Sequence, residues 1–231
     1  MARWPWLIRK YNITMHPLRI KICGVTTPED VAACAAGGAD AIGLNFFPAS
    51  SRYIDPRKCM PIVRAIPPLM SSIGVFVDTP MRQMAAIAYQ LGLRGIQHHG
   101  KNHPIEDAYP FSHIAAFRVR DRESLAKIEG YLTRCRAASQ LPGAILIDAF
   151  VEGLEGGTGQ TAPWELLADF QPGVPMILAG GLTPENVAEA IRVVRPNGID
   201  VASGVESSPG RKDPAKVLEF VERAREAATR L

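Results

Sequence analysis

The chain has 231 residues, 47% hydrophobic and 21% charged, an ordinary balance for a water-soluble globular fold, and no apolar run approaches the ~18 residues that cross a bilayer. Its formal net charge of +3 is carried by Arg3, Arg9 and Lys10 in an acid-free N-terminal arm, so the other 23 basic residues balance the 23 acidic ones and no nucleic-acid surface is expected. Four cysteines, Cys23, Cys34, Cys59 and Cys135, show neither CxxC pairs nor zinc-like spacing, which fits a reduced, cytoplasmic setting.

The arm, residues 1–18, is expected to stand outside the core. Trp4–Ile8 is too short for a signal-peptide apolar segment and no small-residue cleavage site follows. Thr14 is its single hydroxyl residue, against an organelle transit peptide. Met15 reads as the natural start.

Arg19–Cys23 alternates charged and β-branched residues and predicts a strand. Gly24 breaks it, and Thr27 with Pro28 supplies an N-cap and a first helical residue. Val31, Cys34 and Ala35 recur at helical spacing until Gly37–Gly38 ends that helix. Ala41–Phe46, mostly apolar, suits a strand covered on both faces, and a loop over 48–53 leads to a helix start at Asp55–Pro56. Ile73–Val77 is the third strand, and Thr79–Pro80 opens a helix running to Leu91–Gly92. Gly95–Gly100 is a short fourth strand, followed by a brief, poorly patterned helix near Ile105–Tyr109. Ile114–Val119 and a helix from Asp121 to about Ala138 form the fifth unit.

Ala144–Asp148 is the sixth strand, with a glycine-rich loop over 153–159 and a short helix near Trp164–Ala168. Pro175–Ala179 is the seventh; Thr183–Pro184–Glu185 then caps a helix whose Val187, Ala190, Ile191 and Val194 face the core. Ile199–Ala202 is the eighth, and Asp213–Pro214 starts a last helix with Val217, Phe220, Val221 and Ala224 inward. A helix-end signature recurs at Gly38–Ile42, Gly92–Ile96 and Asn197–Val201. Eight strand–helix units with no linker between them predict a single (β/α)8 TIM barrel over 19–231. A doubly wound sheet is the alternative, but no Gly-x-Gly-x-x-Gly fingerprint follows the first strand.

In such a barrel the carboxyl ends of the strands share one mouth, where the chemistry takes place. Those ends are Cys23, Asn45, Asp78, Gln97 with His99, Arg118 with Arg120, Asp148, Ala179–Gly181 and Ser203–Gly204. Gly180–Gly181–Leu182 before a helix, and Ser203–Gly204–Val205 before a short extra turn, occupy the phosphate-gripping positions after strands seven and eight. Cys23 and Asp148 lie opposite that grip. A thiol near a phosphate and a helix N-terminus can be tuned toward thiolate, and a partly desolvated aspartic acid can hold its proton. Together they offer a base and an acid that call for no metal or cofactor; singly, Cys23 reads as a packing residue and Asp148 as a loop cap.

Arg52 in the second loop suits a carboxylate met with two parallel hydrogen bonds, or else is a solvated loop arginine. His98 and His99, adjacent on a strand, point to opposite faces. With His103 they lack the helical i, i+4 pair or cysteine partner of a metal centre, so no metal is expected.

These residues resemble the phosphoribosylanthranilate isomerases, the barrel enzymes of tryptophan biosynthesis. The resemblance is carried by Lys21–Gly24, Ser51–Tyr53, Gly74–Val77, Gln97 with His99–Gly100, Leu146–Ala149, Gly156–Gly159, Leu178–Val187, and Ser203–Glu206 with Pro209–Asp213. It covers about residues 19–230 in the family's order. It implies a cofactor-free Amadori rearrangement of N-(5-phosphoribosyl)anthranilate. Cys23 would be the general base, Asp148 the general acid and Arg52 the contact to the anthranilate carboxylate, with the phosphate on Gly181, Ser203 and Gly204. The partner implied is a small phosphosugar, with the chain a monomer or homodimer.

Residue chemistry alone reaches acid–base work on a phosphosugar. The histidine-pathway phosphosugar isomerases are the nearest rival, but they use aspartates as both acid and base, and Cys23 argues against them. A non-catalytic phosphate-binding barrel would not retain both Cys23 and Asp148. Three departures from the family pattern stand out: His98 for leucine, Ala202 for serine, and Ala162–Pro163–Trp164 for Phe–Asp–Trp. The arm has no family counterpart.

Overall fold

The two-residue period of a strand puts Ile20 and Ile22 on one face of the first strand and Lys21 and Cys23 on the other. The computed structural model describes residues 18–100, 103, 105, 108, 110–149 and 164–231. In it both isoleucines are fully buried in the core beneath the helices, which leaves Lys21 and Cys23 facing the barrel interior.

The strands are β1 (Arg19–Cys23), β2 (Ala41–Asn45), β3 (Ser71–Val77), β4 (Gly95–His99), β5 (Ser112–Arg118), β6 (Ala144–Asp148), β7 (Met176–Ala179) and β8 (Gly198–Val201). They form a closed barrel in sequence order. β1 closes it by pairing in parallel with both β2 and β8, with Cys23 opposite Gly43 and Lys21 opposite Asp200. The outer core between sheet and helices holds most of the large apolar side chains, among them Ile42, Leu44, Phe76, Ile96, Ile145 and Phe220. A smaller cluster of Ile73, Ile114, Ala116, Ala144, Leu146 and Ala179 fills the barrel itself, as an eight-stranded interior just wide enough for side chains requires.

The helices are α1 (Pro28–Ala36), α2 (Met60–Arg64), α3 (Met81–Leu91), α4 (Arg122–Ala137), α5 (Trp164–Leu167), α6 (Val187–Val194) and α7 (Pro214–Thr229). Thr27, Asp121 and Asp213 cap α1, α4 and α7 by accepting from first-turn backbone N–H groups, as the sequence signals require. Asp55–Pro56 starts a 3-10 turn, Pro56–Lys58, just ahead of α2.

Two local expectations are corrected. Helix α6, which follows β7, begins at Val187 rather than beside Thr183, because the Asn186 amide folds back on the loop. Its Oδ1 accepts from Thr183 N (2.8 Å) and its Nδ2 donates to the Gly181 carbonyl (2.9 Å), closing a separate turn. The repeated helix-end signature also hides a difference. Gly38 and Gly92 take positive φ, but the third instance puts Arg195 in the left-handed region at φ 50°, a conformation glycine adopts without that cost.

After β8, a 3-10 turn (Ser203–Val205) leads into a hairpin of β9 (Glu206–Ser208) and β10 (Arg211–Lys212), more structure than the single extra turn expected there. Among the described residues no helix is long and apolar enough to cross a membrane. The arm up to residue 17, most of the stretch expected as a helix near Ile105–Tyr109, the loop over 153–159, and Ala162–Pro163 lie outside the described residues.

Candidate active site

Each residue of Lys21–Ile22–Cys23–Gly24 has a separate physical task. Lys21 donates through Nζ to Asp200 Oδ1 across the β1–β8 pairing (2.9 Å). Ile22 anchors the strand outward with no exposure. Cys23 ends the strand at the mouth. Gly24 sits at φ +74°, and a Cβ there would lie 2.4 Å from Arg52 Cδ, so only glycine lets the arginine stem pass. On β2, Gly43 makes room in the same way: a Cβ would lie 2.8 Å from Cys23 Sγ and 2.9 Å from Lys21 Nζ.

The second loop holds Arg52 by local hydrogen bonds. Asn45 Nδ2 donates to Ser50 Oγ (3.2 Å), which accepts in turn from Arg52 N (3.1 Å). The guanidinium is not a solvated loop arginine. Its side chain is 24% exposed, and Nε and Nη2 donate to the two carboxylate oxygens of Glu206, each at 2.7 Å. Burial raises Glu206, but Arg52 and Lys212 outweigh it and hold the carboxyl below its ordinary range. Lys212, its side chain fully buried, donates through Nζ to Glu206 Oε1 (2.9 Å) and to the Ala202 carbonyl (3.0 Å).

A cavity of about 610 Å³ opens at the carboxyl ends of the strands. Its wall includes Cys23 from β1, Arg52 from the second loop, Asp148 from β6, Gly181 after β7 and Ser203 after β8. Five of the six residues expected at the site therefore meet in one space. Gly204 is the exception and stands behind the wall: a Cβ on it would lie 1.9 Å from the Leu182 carbonyl oxygen, so it is the point where the loops after β7 and β8 touch. Gly180 and Gly181 both take positive φ (95° and 64°), the conformation in which glycine turns the backbone without steric cost. Ala202, at the serine departure, also lines the cavity.

Electrostatics differ from the expectation at one position. Burial pushes the Cys23 thiol above its ordinary value, with Lys21 beside it pulling the other way; the strand end is drier than the phosphate-side argument allowed. For Lys21, burial is overcome by Asp200 and Cys23, which hold the ammonium above its ordinary value. His99 faces the cavity 2.7 Å from the Gln97 amide nitrogen, and burial takes it down to about 4, so it is neutral at pH 7. Its neighbour His98 points the other way and is 2% exposed, edge-on to the ring of His103, which itself packs on Phe117 and Tyr131.

Four residues of this site escape a strand-end reading of the sequence: Lys21, Asp200, Glu206 and Lys212. The first two leave a trace, since Lys21 shares a face with Cys23 and Asp200 is a lone charge inside an apolar strand. Nothing in the sequence pairs Glu206 with Arg52, 154 residues away.

Comparison with known proteins agrees with the barrel fold. A family model described as N-(5'phosphoribosyl)anthranilate (PRA) isomerase matches residues 20–223. The N-(5'-phosphoribosyl)anthranilate isomerase of Neisseria meningitidis serogroup B is 41% identical over 215 residues, 90% of this chain and 96% of that protein. The enzyme of that name from Geobacter sulfurreducens is 41% identical over 209 residues, 90% and 98%. The crystal structure of phosphoribosyl anthranilate isomerase from Thermotoga maritima superposes with a TM-score of 0.79 at 36% identity, covering 90% of this chain and 99% of that one. A second isomerase structure, in complex with reduced 1-(o-carboxyphenylamino)-1-deoxyribulose 5-phosphate, gives 0.77 at 34% identity, covering 90% and 99%. The closed eight-stranded barrel, the convergent mouth and these matches agree, and the chain belongs to the N-(5'-phosphoribosyl)anthranilate isomerase family.

Proposed function

We propose that this chain isomerises N-(5'-phosphoribosyl)anthranilate to 1-(2-carboxyphenylamino)-1-deoxyribulose 5-phosphate, with Cys23 as general base and Asp148 as general acid. The observation that carries the reading is the convergence of a thiol, a carboxyl, an arginine and two glycine- and serine-bearing loops on one 610 Å³ cavity. Asp148 gives its proton to the furanose ring oxygen, and the ring opens to an iminium. The Cys23 thiolate then takes the proton from C2. The resulting enolamine tautomerises to the ketose, and the two groups regain their starting protonation as product forms.

Positioning comes from the substrate's two anionic ends. The loops after β7 and β8 take the phosphate, with Gly181 and Ser203 at the wall and Gly204 setting their contact. Glu206 occupies the Nε–Nη2 edge of Arg52, so the Nη1 side of the guanidinium is the one available to the anthranilate carboxylate. A homodimer is proposed as the assembly, since the Thermotoga maritima relative is described as dimeric; light scattering on the purified chain checks it.

The test is a pair of conservative variants. Positioned proton transfer contributes about 10²–10⁴-fold per group, so Cys23→Ser and Asp148→Asn should each lower kcat by at least ~10²-fold while circular dichroism stays native. Neither variant should rescue a tryptophan auxotroph lacking this step, which the unmodified chain should rescue. Near-normal kcat in Cys23→Ser, with an unchanged pH profile, would remove the base assignment.

A further inference from the structure

The barrel interior is mostly apolar, yet among the described residues it contains an ion pair: Lys21 Nζ and Asp200 Oδ1 lie 2.9 Å apart, with side chains 6% and 8% exposed. Replacing a buried pair by well-packed apolar residues of similar volume is often neutral or stabilising, so stability gives this pair no evident reason to be there. Its neighbour is the proposed base. Lys21 stands on the same face of β1 as Cys23, and its charge acts on the sulfur. Both atoms press on the spot that Gly43 leaves open.

We propose that Lys21, held by Asp200, is the counter-charge of the Cys23 thiolate when that residue acts as base; this rests on the base assignment above. When Cys23 gives up its proton, to solvent in the free enzyme or to C1 of the enolamine as the ketose forms, the sulfur anion pairs with the ammonium. When the sulfur takes the C2 proton it becomes a thiol again, and Lys21 returns to Asp200 alone. The ammonium gains and loses no proton in the cycle. Asp200 has two effects: it keeps Lys21 charged, and by competing for it stops the thiolate becoming too stable to take up a proton. A base is most effective when its proton affinity is close to the working pH.

Other charges reach Cys23 from the surrounding elements. Lys212 on β10 and Arg52 in the second loop add positive charge, and Asp148 on β6 and His99 on β4 share its cavity. The neighbouring β2 contributes Gly43 and Asn45, neither of them titratable. Lys21 is the cation whose Nζ shares the gap over Gly43 with the sulfur, and Lys21 and Asp200 act on it with opposite signs.

Opposite signs make the test decisive. The rate of Cys23 alkylation by iodoacetamide is followed against pH by mass spectrometry of the Cys23 peptide, alongside the pH profile of kcat. Lys21→Met should raise the alkylation midpoint by at least one pH unit, about tenfold less thiolate at neutral pH, and move the base limb of kcat with it. Asp200→Asn should lower the midpoint. Lys21→Met/Asp200→Leu, which leaves no buried charge and keeps the test open if Lys21→Met does not fold, should raise it. Midpoints that stay put, or that move in the same direction in all three variants, would make the pair purely structural and overturn the inference. In that event an inactive Cys23→Ser leaves the base assignment standing, whereas an active Cys23→Ser removes both.

Discussion

Gly204→Ala is expected to damage binding of the phosphate end from a position behind the cavity wall, by pushing on Leu182. The new Cβ would lie 1.9 Å from the Leu182 carbonyl oxygen, where real Cβ contacts essentially never fall under 3.0 Å. Both partners are backbone, so no rotamer can relieve the clash, and one loop must retreat by about 1 Å. A misplacement of about 1 Å at a positioning element is enough to lose ~10²-fold, near 2.7 kcal/mol at 1.36 kcal/mol per tenfold. Overpacking adds a stability cost of about 1–3 kcal/mol. The assay is steady-state kinetics with inorganic phosphate as a competitive inhibitor, read beside Tm. We expect kcat/KM to fall by ~10²-fold with a weaker phosphate inhibition constant. Gly92→Ala provides the control, because it is strained at φ +65° but meets no atom within 4 Å of the added Cβ. It should lower Tm and leave kcat/KM unchanged. If Gly204→Ala keeps kcat/KM within threefold of the parent, the two loops do not set the phosphate grip through this contact.

Arg52→Ala should raise KM more than it lowers kcat, since a carboxylate contact alike in ground and transition states is uniform binding; an unchanged KM would deny Arg52 its ligand role. His98→Leu should stabilise the chain by about 1–2 kcal/mol in urea unfolding, because both ring nitrogens are buried with no hydrogen-bond partner among the described residues and such burial costs free energy; a loss of stability would mean that the histidine is satisfied. Acid should destabilise the fold well above the carboxylate range. Burial lowers His99, His103 and His113 from 6.5 to about 4, so between those values the unfolded chain binds protons that the native state refuses. Stability is then complete above pH 6.5 and is lost as pH falls toward 4, by up to ~1.4 kcal/mol per pH unit for each group. A Tm that stays flat from pH 7 to pH 4.5 would contradict this.

The strands were legible because their signals are local. Arg19–Cys23 and Ala144–Asp148 match the observed limits, since each ends at a mouth residue that also ends an apolar or alternating run. The start of α6 was misread because Thr183–Pro184 looks like a cap, while the competing Asn186 amide satisfies the loop instead. Cys23, Asp148 and Arg52 could be picked out by where strands end and by resemblance. What surrounds them could not. Lys21 and Asp200 are 179 residues apart, and their pairing follows from barrel closure. The rise in Cys23's proton affinity is a property of burial, which spacing does not encode. The role of Gly204 is a contact between two loops, visible only once both are placed.

Lys212 links two recognition problems that are usually treated apart. One ammonium holds the Ala202 carbonyl next to Ser203 and also the carboxylate that fixes Arg52, while its own backbone N–H donates to Asp30 Oδ1 (3.0 Å). Under the proposed roles, the groups that would take the substrate's phosphate and carboxylate are therefore fastened to a common post and cannot drift independently. With those roles, the mouth would work as a gauge of length as well as of charge. An arylamine with both anions but one methylene too many between them would have to choose which end to satisfy, and selectivity would follow without any side chain that touches the misfitting carbon.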